Sequence, residues 1–341
     1  PRPASVMGGV ILAVILAAVF LAPWLVAIER RIPGYTLRTL GAEIVDRSRR
    51  PMEGHNGPPG YYAMTIWGTY FPWSLLLPLA VVYAWRNRHV PQVRFALGAV
   101  VGPWVMFELV QTKLTHYLLP VYPFLAFLTA DALIRCIRRG KGDLYDATWV
   151  KVTAGWALLV AALGLAPWAV LRAWPSRDPW LIAGLVSFSV TGLAYGWFVY
   201  SRFRQRRVAG AATAMGLGML VVVIVGYAWV LPRLEFMRLS QRVADDLRRL
   251  GATAAGDVVM IDYKEPSLAF YLGGTIREAP EGYLSSLPPE RWPMYVVLTA
   301  EVWRTTPSGV RERLDVLAAH RGLAYADGGR VVDVMVLRRR P

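Results

Sequence analysis

The chain has 341 residues, 55% of them hydrophobic, and its 38 Lys+Arg exceed its 23 Asp+Glu to give a formal net charge of +15. A soluble domain is usually about 45–50% apolar, so the composition excludes a chain that is soluble throughout. A high positive charge is one signature of nucleic-acid binding. Here, however, residues 232–341 are nearly balanced, with 16 Lys+Arg and 14 Asp+Glu, and the excess lies in short loops between apolar segments. This distribution argues against a nucleic-acid partner.

The apolar residues are concentrated in seven runs of about 17–24 residues, long enough to cross a hydrocarbon core of roughly 30 Å. The runs are Ser5–Ile28, Met64–Trp85, Phe95–Gln111, Tyr117–Ile134, Val152–Leu171, Trp180–Tyr200 and Ala211–Leu231. The sequence therefore predicts a polytopic α-helical membrane protein with about seven transmembrane helices. This transmembrane domain covers residues 1–231 and includes a large loop at 29–63.

Basic residues are distributed unequally between alternate short loops. The three loops 86–94, 135–151 and 201–210 together hold 12 Lys+Arg. The two loops that alternate with them in the chain hold only 3 Lys+Arg; they are 112–116 and 172–179. Cytoplasmic loops of membrane proteins carry the excess of Lys and Arg. The bias therefore predicts a cytoplasmic N-terminus, with the first large loop and the C-terminal region outside the cytoplasm.

Residues 232–341 predict a small extracytoplasmic α/β domain, because short apolar runs alternate there with helical patterns. The predicted strands are Asp257–Asp262, Tyr295–Thr299 and Val331–Leu337. The predicted helices are Pro232–Leu250, Ser267–Leu272 and Ser308–His320. His320 is expected to be a surface residue at a helix end, and no catalytic constellation is recognisable in this domain.

The large loop at 29–63 contains apolar residues at helical spacing over Leu37–Arg47. This pattern fits a helix lying along the outer membrane interface and equally an ordinary surface helix. Pro58 and Pro59 then favour an extended backbone. Tyr61 and Tyr62 follow at the depth expected for an interfacial aromatic belt.

Lys113, His116 and Tyr117 stand at the start of an apolar helix that contains two prolines. A lysine at a membrane surface, beside an apolar wall, suits a lipid with a phosphate headgroup, since the ammonium group acts as a point charge. His116 and Tyr117 would add hydrogen bonds. The alternative is an interfacial lysine whose stem is buried while its charge reaches water.

Three segments of the chain are similar to parts of one known family. TKLTHYLLPVYPFLAFL at 112–128 is similar to that family's run K-L-P-x-Y-x-L-P-x-x-P, with Thr115 in place of a proline. EGHNGPPGYY at 53–62, followed by FPWS at 71–74, is similar to its last long external loop and the helix after it, and EPSLAFYLGG at 265–274 is similar to part of its external domain. With these segments the chain resembles the C-terminal part of a GT-C glycosyltransferase of the protein-mannosyltransferase-like superfamily, and in particular glycosyltransferase family 39 and the bacterial 4-amino-4-deoxy-L-arabinose transferases of lipid A.

The resemblance implies an enzyme of the bacterial inner membrane that takes a sugar from a polyprenyl-phosphate donor on the extracytoplasmic side and inverts its anomeric centre. The acceptor is a lipid or a protein. The family's catalytic Asp lies in the first external loop of the complete enzyme, whereas this chain aligns with the last seven spans and the external domain. No residue of this chain is therefore assigned a catalytic role.

The resemblance also implies which residues would shape the donor and acceptor sites. The expected substrate-binding residues are Lys113, His116, Tyr117, His55, Glu53, Tyr61, Tyr62 and Arg50. A related enzyme binds a metal ion between this loop and an earlier one, so Glu43 and His55 are the candidate ligands of a divalent metal ion. The family's Glu-His pair is not reproduced at Glu43–Ile44.

Two other functions remain open on the sequence. A non-catalytic membrane-anchored scaffold would bind a glycan or a protein partner through its external domain, and Lys113→Ala would leave that function intact. A transporter or flippase would keep polar groups at mid-membrane. Glu108 and Asp131 are the ionisable candidates within the predicted spans, and both lie near helix ends.

Overall fold

The computed structural model describes residues 3–41, 49, 56–252, 256–274, 276–326 and 328–340. The chain divides into two compact units, Pro1–Arg135 and Cys136–Pro341. The predicted change at residue 231 from the transmembrane domain to the α/β domain lies within the second unit. That predicted domain boundary stays a prediction.

Helices form the first unit. They are α1 (Pro3–Arg31), α2 (Tyr35–Thr39), α3 (Tyr61–Thr69), α4 (Leu77–Arg86), α5 (Pro91–Leu109) and α6 (Tyr122–Arg139), which continues beyond Arg135 into the second unit. Tight helical turns at Trp73–Leu76 and Thr115–Val121 lead into α4 and α6. The predicted interfacial helix Leu37–Arg47 lies largely outside the described residues.

Among the described residues, five helical segments are long and apolar enough to cross a membrane. They are Met7–Arg31, Thr115–Arg139, Ala147–Ala173, Pro179–Arg204 and Val208–Arg233. The second predicted span, Met64–Trp85, is not one helix, because the chain turns at residues 70–72 between α3 and the tight turn before α4. Pro72 lies in this break, and proline supplies no backbone N–H to continue a helix. The third predicted span is the helix α5, which is outside these five segments.

The membrane helices of the second unit are α7 (Ala147–Leu165), α8 (Pro167–Ala173), α9 (Pro179–Arg204) and α10 (Val208–Ile224). Glycines allow α7 and α9 to approach closely. A Cβ atom at Gly192 would lie 3.2 Å from the Cα of Gly164, and one at Gly196 would lie 3.0 Å from the carbonyl oxygen of Ala157. Such small residues drive helix association in membranes, where lipid gives no hydrophobic driving force.

A five-stranded sheet follows in the same unit. Its strands are β1 (Val258–Ile261), β2 (Arg277–Ala279), β3 (Tyr295–Thr299), β4 (Leu314–Ala324) and β5 (Arg330–Arg339), in the order β2-β1-β3-β5-β4. β1 is parallel to β2 and β3, whereas β5 is antiparallel to β3 and β4. The three strands predicted from the sequence are confirmed, and β2 and β4 are additional.

Helices cover both faces of this sheet, which makes the domain three-layered. Alternate residues of β1 face opposite sides, so Met260 packs in one core with α11 (Leu239–Arg249) and α12 (Pro266–Tyr271). Ile261 packs in the other core with Val302 of α13 (Ala300–Thr305). The helix expected at Ser267–Leu272 is thus present as α12.

The predicted helix Ser308–His320 is wrong. Only α14 (Ser308–Arg311) is helical, and the chain then enters β4, which pairs with β5 from Leu314 to Ala324. The backbone hydrogen bonds of this long pairing override a weak local helical pattern. His320 is therefore a strand residue, with its side chain 14% exposed and its Nε2 atom 2.5 Å from Asp246 of α11.

Candidate functional site

The end of α5 is tied to the start of α3 through one acidic side chain. Glu108 Oε1 accepts hydrogen bonds from the backbone N–H groups of Gly60, at 2.6 Å, and Tyr61, at 3.1 Å. These are the first free donors of α3, where a carboxylate is favoured by the helix dipole. Glu108 thus caps a helix that begins 47 residues earlier in the chain.

Lys113 completes this arrangement. Its ammonium group donates to the carbonyl oxygens of Glu108 and of Val110, the latter at 3.1 Å, and lies 3.8 Å from Glu108 Oε1. Lysine near a helix C-terminus satisfies the last carbonyl groups in this way. Lys113 is only 6% exposed, so its ammonium group lies inside the protein, beside the carboxylate of Glu108. Gly57, Tyr61, Tyr62, Glu108 and Lys113 together form the Lys113 junction.

Two tyrosines that the sequence predicts to bind substrate pack against each other within the Lys113 junction. The rings of Tyr61 and Tyr62 meet edge to face, with centroids 5.1 Å apart, and the Lys113 ammonium lies 5.9 Å from the Tyr62 ring centre. Tyr62 is fully buried, and burial raises its pKa to about 12, so its phenol stays protonated at neutral pH. Gly57 must be small, because a Cβ atom there would lie 2.4 Å from the Tyr61 ring and 3.1 Å from Lys113 Cδ.

His116 and Tyr117 lie on the turn that leads into α6. Their rings are in edge contact, with centroids 5.2 Å apart, and Tyr117 also packs against Phe107 of α5 at 5.2 Å. His116 is exposed and Tyr117 is half-buried. Of the predicted binding residues, Lys113, Tyr61 and Tyr62 are therefore brought into one cluster, and His116 and Tyr117 continue along the same segment.

Arg50, Glu53, His55 and Glu43 lie outside the described residues, so their roles remain predictions. Within the described ranges, no group of three or more His, Cys, Asp or Glu side chains is placed to hold a metal ion. The candidate metal ligands Glu43 and His55 both fall in the undescribed part of the loop, and a divalent metal ion also remains a prediction.

Glu108 was named from the sequence only as an ionisable residue within a predicted span, and not as a residue of the binding site. Its second oxygen, Oε2, is buried with no hydrogen-bond partner among the described residues. An ionisable residue within a predicted span is by default a functional candidate whose partner should be sought. Applied to Glu108, this rule points to Lys113, five positions later, as the partner, and it could have identified the pair from the sequence.

Comparison with known proteins identifies relatives of the chain. No protein-family model matches the chain. The chain is 30% identical over 262 residues to the undecaprenyl phosphate-alpha-4-amino-4-deoxy-L-arabinose arabinosyl transferase of Aeromonas salmonicida, a match that covers 72% of this chain and 46% of that protein. The enzyme of the same name from Serratia proteamaculans is 26% identical over 226 residues, covering 63% of this chain and 39% of the relative. The chain is related to this arabinosyl transferase family.

The fold agrees with that relationship. The crystal structure of ArnT from Cupriavidus metallidurans bound to undecaprenyl phosphate superposes with a TM-score of 0.59 at 18% identity, over 95% of this chain and 60% of ArnT. The apo structure of the same protein superposes with a TM-score of 0.60. The resemblance inferred from the sequence is thereby confirmed. The chain spans about half the length of the curated transferases that it matches.

Proposed function

We propose that this chain forms the donor- and acceptor-binding part of a bacterial inner-membrane glycosyltransferase. The enzyme transfers a sugar from a polyprenyl-phosphate donor to a lipid acceptor on the extracytoplasmic side, with inversion of the anomeric centre. The observation that carries this proposal is the 30% identity over 262 residues to an undecaprenyl-phosphate-dependent arabinosyl transferase. The ArnT structure with bound undecaprenyl phosphate supports it through the shared fold.

The donor headgroup would meet the exposed side of the segment that follows α5. His116 and Tyr117 keep exposed surface there and supply hydrogen-bonding groups for a sugar phosphate. The Lys113 ammonium has three N–H donors, two of which serve carbonyl oxygens. Its remaining donor is the one proposed for a phosphate oxygen, while Glu108 holds the lysine in place.

Donor binding is tested on the purified chain in detergent micelles, with undecaprenyl phosphate and the uncharged alcohol undecaprenol as probes. Native mass spectrometry should show retention of the phosphate and not of the alcohol. Lys113→Met should reduce retention about tenfold, since charge-assisted hydrogen bonds contribute about 1.5–3 kcal/mol. Lys151→Met is the matched control, because Lys151 is an exposed lysine on helix α7, in the other unit. Equal retention of the phosphate and the alcohol would contradict the proposal.

Sugar transfer is measured in the same preparation, with the arabinose-bearing donor and lipid A as acceptor. The proposal assigns the catalytic carboxylate to a part of the enzyme other than this chain. The expected result is therefore donor binding without a mass increase of lipid A. Transfer by this chain alone would overturn that assignment while leaving the donor-binding role intact.

A further inference from the structure

A second site lies in the second unit, where membrane helices meet the sheet domain. A pocket of about 290 Å³ is bounded there by the segments that follow α8 and α10. Trp174 and Ser176 come from the first segment, and Arg233 comes from the second. Arg242 of α11 and Arg321 of β4 close it from the sheet domain. We call this the Trp174 pocket.

The Trp174 pocket lies where two candidate spans end. The apolar segments Ala147–Ala173 and Val208–Arg233 both terminate at its lining, so the pocket sits at the expected boundary between hydrocarbon and water. Its apolar wall includes Leu171, Leu181 and Leu234. A ligand bound here would therefore meet polar groups on one side and a lipid-like surface on the other.

Positive charge predominates in the lining. Three arginines, Arg233, Arg242 and Arg321, share the pocket with one carboxylate, Glu235. The Arg242–Glu235 pair is separated by 3.8 Å and the Glu235 side chain is 77% exposed, so solvent screens this interaction. Arg233 donates one hydrogen bond to the Trp229 carbonyl oxygen at 2.8 Å, which fixes its position without neutralising its charge.

Trp174 adds a donor that needs an acceptor. Its indole ring stacks on Phe236, with centroids 4.3 Å apart and planes inclined by 20°. The Nε1 atom is buried and has no hydrogen-bond partner among the described residues. Buried donors are nearly always paired, and an unpaired one calls for an explanation such as a bound group.

We propose that the Trp174 pocket binds the phosphate group of an anionic lipid. A phosphate accepts several charge-assisted hydrogen bonds, and arginine matches its geometry better than any other side chain. The indole N–H supplies a further donor, while the acyl chains leave along the apolar wall into the bilayer. This inference does not depend on the proposed transferase function, since the Lys113 junction lies in the other unit.

Three probes separate the possible ligands on the purified full chain in detergent micelles. They are phosphatidic acid with short acyl chains, diacylglycerol with the same chains, and inorganic phosphate. Native mass spectrometry measures retention, and each probe is titrated. Diacylglycerol lacks only the phosphate, so it isolates the contribution of the headgroup.

Two variants and one control test the lining. Arg242→Gln combined with Arg321→Gln should weaken phosphatidic acid retention at least about tenfold, because two charged donors are lost. Trp174→Phe keeps an aromatic ring beside Phe236 but removes the N–H together with part of the indole, so it should weaken retention about threefold, the effect of one neutral hydrogen bond. Arg249→Gln removes a charge from the same helix as Arg242, at a side chain that is 80% exposed and outside the pocket, and should leave retention unchanged.

Retention of phosphatidic acid over diacylglycerol, lost in the double variant, supports a lipid headgroup site. Displacement of phosphatidic acid by inorganic phosphate at equal affinity supports the same phosphate site with free phosphate as its ligand. Equal retention of the two lipids would overturn the proposal. So would unchanged binding of phosphatidic acid by both the double variant and Trp174→Phe.

Discussion

The Lys113 junction and the Trp174 pocket both place basic residues near a predicted membrane surface, but they treat that charge differently. At the junction, two of the three N–H donors of Lys113 serve carbonyl oxygens and the carboxylate of Glu108 lies 3.8 Å from the ammonium group, so one donor is left for a ligand. In the pocket, three arginines face one exposed carboxylate, and an indole N–H has no partner among the described residues.

This difference shows that basic residues at an interface differ in how many hydrogen-bond donors they leave for a ligand. What distinguishes a binding site is the number of acceptors that the protein supplies to each cation. A cation that is already paired stabilises its own surroundings, because removing the partner leaves a buried charge uncompensated. A surplus of donors, in contrast, favours an anion from outside.

The largest expected effect is on stability at the Lys113 junction. Glu108→Ala should lower the free energy of unfolding by about 3 kcal/mol, because the buried ammonium of Lys113 loses its carboxylate and α3 loses its N-terminal cap. SDS titration of the purified chain in micelles measures this change. Glu301→Ala is the control, since Glu301 is 75% exposed in a surface ion pair and should change stability by less than about 1 kcal/mol.

The double variant Glu108→Gln, Lys113→Met sharpens this test. It removes both charges together, so its cost should be smaller than the sum of the two single substitutions. Equal losses for Glu108→Ala and Glu301→Ala would show that the ion pair does not hold the junction together.

A smaller loss of stability is expected at Gly57, where the space for a side chain, and not a charge, limits which residues fit. Gly57→Ala introduces a Cβ atom 2.4 Å from the Tyr61 ring, and relieving this contact should cost about 1–3 kcal/mol. Gly68→Ala is the matched control, because no atom lies within 4 Å of a Cβ there. In the helix α3 that substitution should be stabilising by about 0.5–1 kcal/mol. Thermal unfolding in detergent compares the two, and a stable Gly57→Ala protein would contradict the close packing.

An acidic residue placed in the Trp174 pocket should pair with its arginines, as Glu108 pairs with Lys113 at the junction. Ser176→Asp supplies an internal anion, so retention of phosphatidic acid should fall about tenfold, equivalent to about 1.4 kcal/mol. Ser176→Asn has a similar size without the charge and should retain the lipid. Identical titrations for the Asp and Asn variants would show that charge does not control binding.

The smallest effect on stability is expected in the sheet domain, at the buried hydroxyl of Tyr263, which already has a hydrogen-bond partner. The hydroxyl of Tyr263 lies 2.8 Å from Ser240 Oγ, so Tyr263→Phe should cost about 1 kcal/mol at neutral pH. Burial raises the pKa of Tyr263 above its usual value. The folded state therefore disfavours the phenolate, and the native protein should lose stability as the pH rises above about 10.

Tyr263→Phe lacks this titration, so the stability difference between the two proteins should narrow between pH 9 and about 11. Unfolding titrations at a series of pH values measure it. A difference that stays constant over this range would contradict the contribution of Tyr263.

The sequence predicted the architecture of this protein because hydrophobic length and periodicity are local properties. Apolar runs identified the five long membrane segments, and short β-branched runs identified β1, β3 and β5. The helix predicted at Ser308–His320 failed because β4 is stabilised by pairing with β5, a partner that local periodicity does not reveal.

The candidate sites were predictable only in part. Lys113, Tyr61 and Tyr62 were identified from composition and resemblance, but their mutual contacts depend on residues far apart in the chain. The sequence by itself determined that membrane helices precede a sheet domain, and that cations lie near the membrane surface. Only the tertiary structure decided which cations are paired, because Glu108 joins Lys113 to a helix start 47 residues away, whereas Arg233, Arg242 and Arg321 converge on one pocket with too few acceptors.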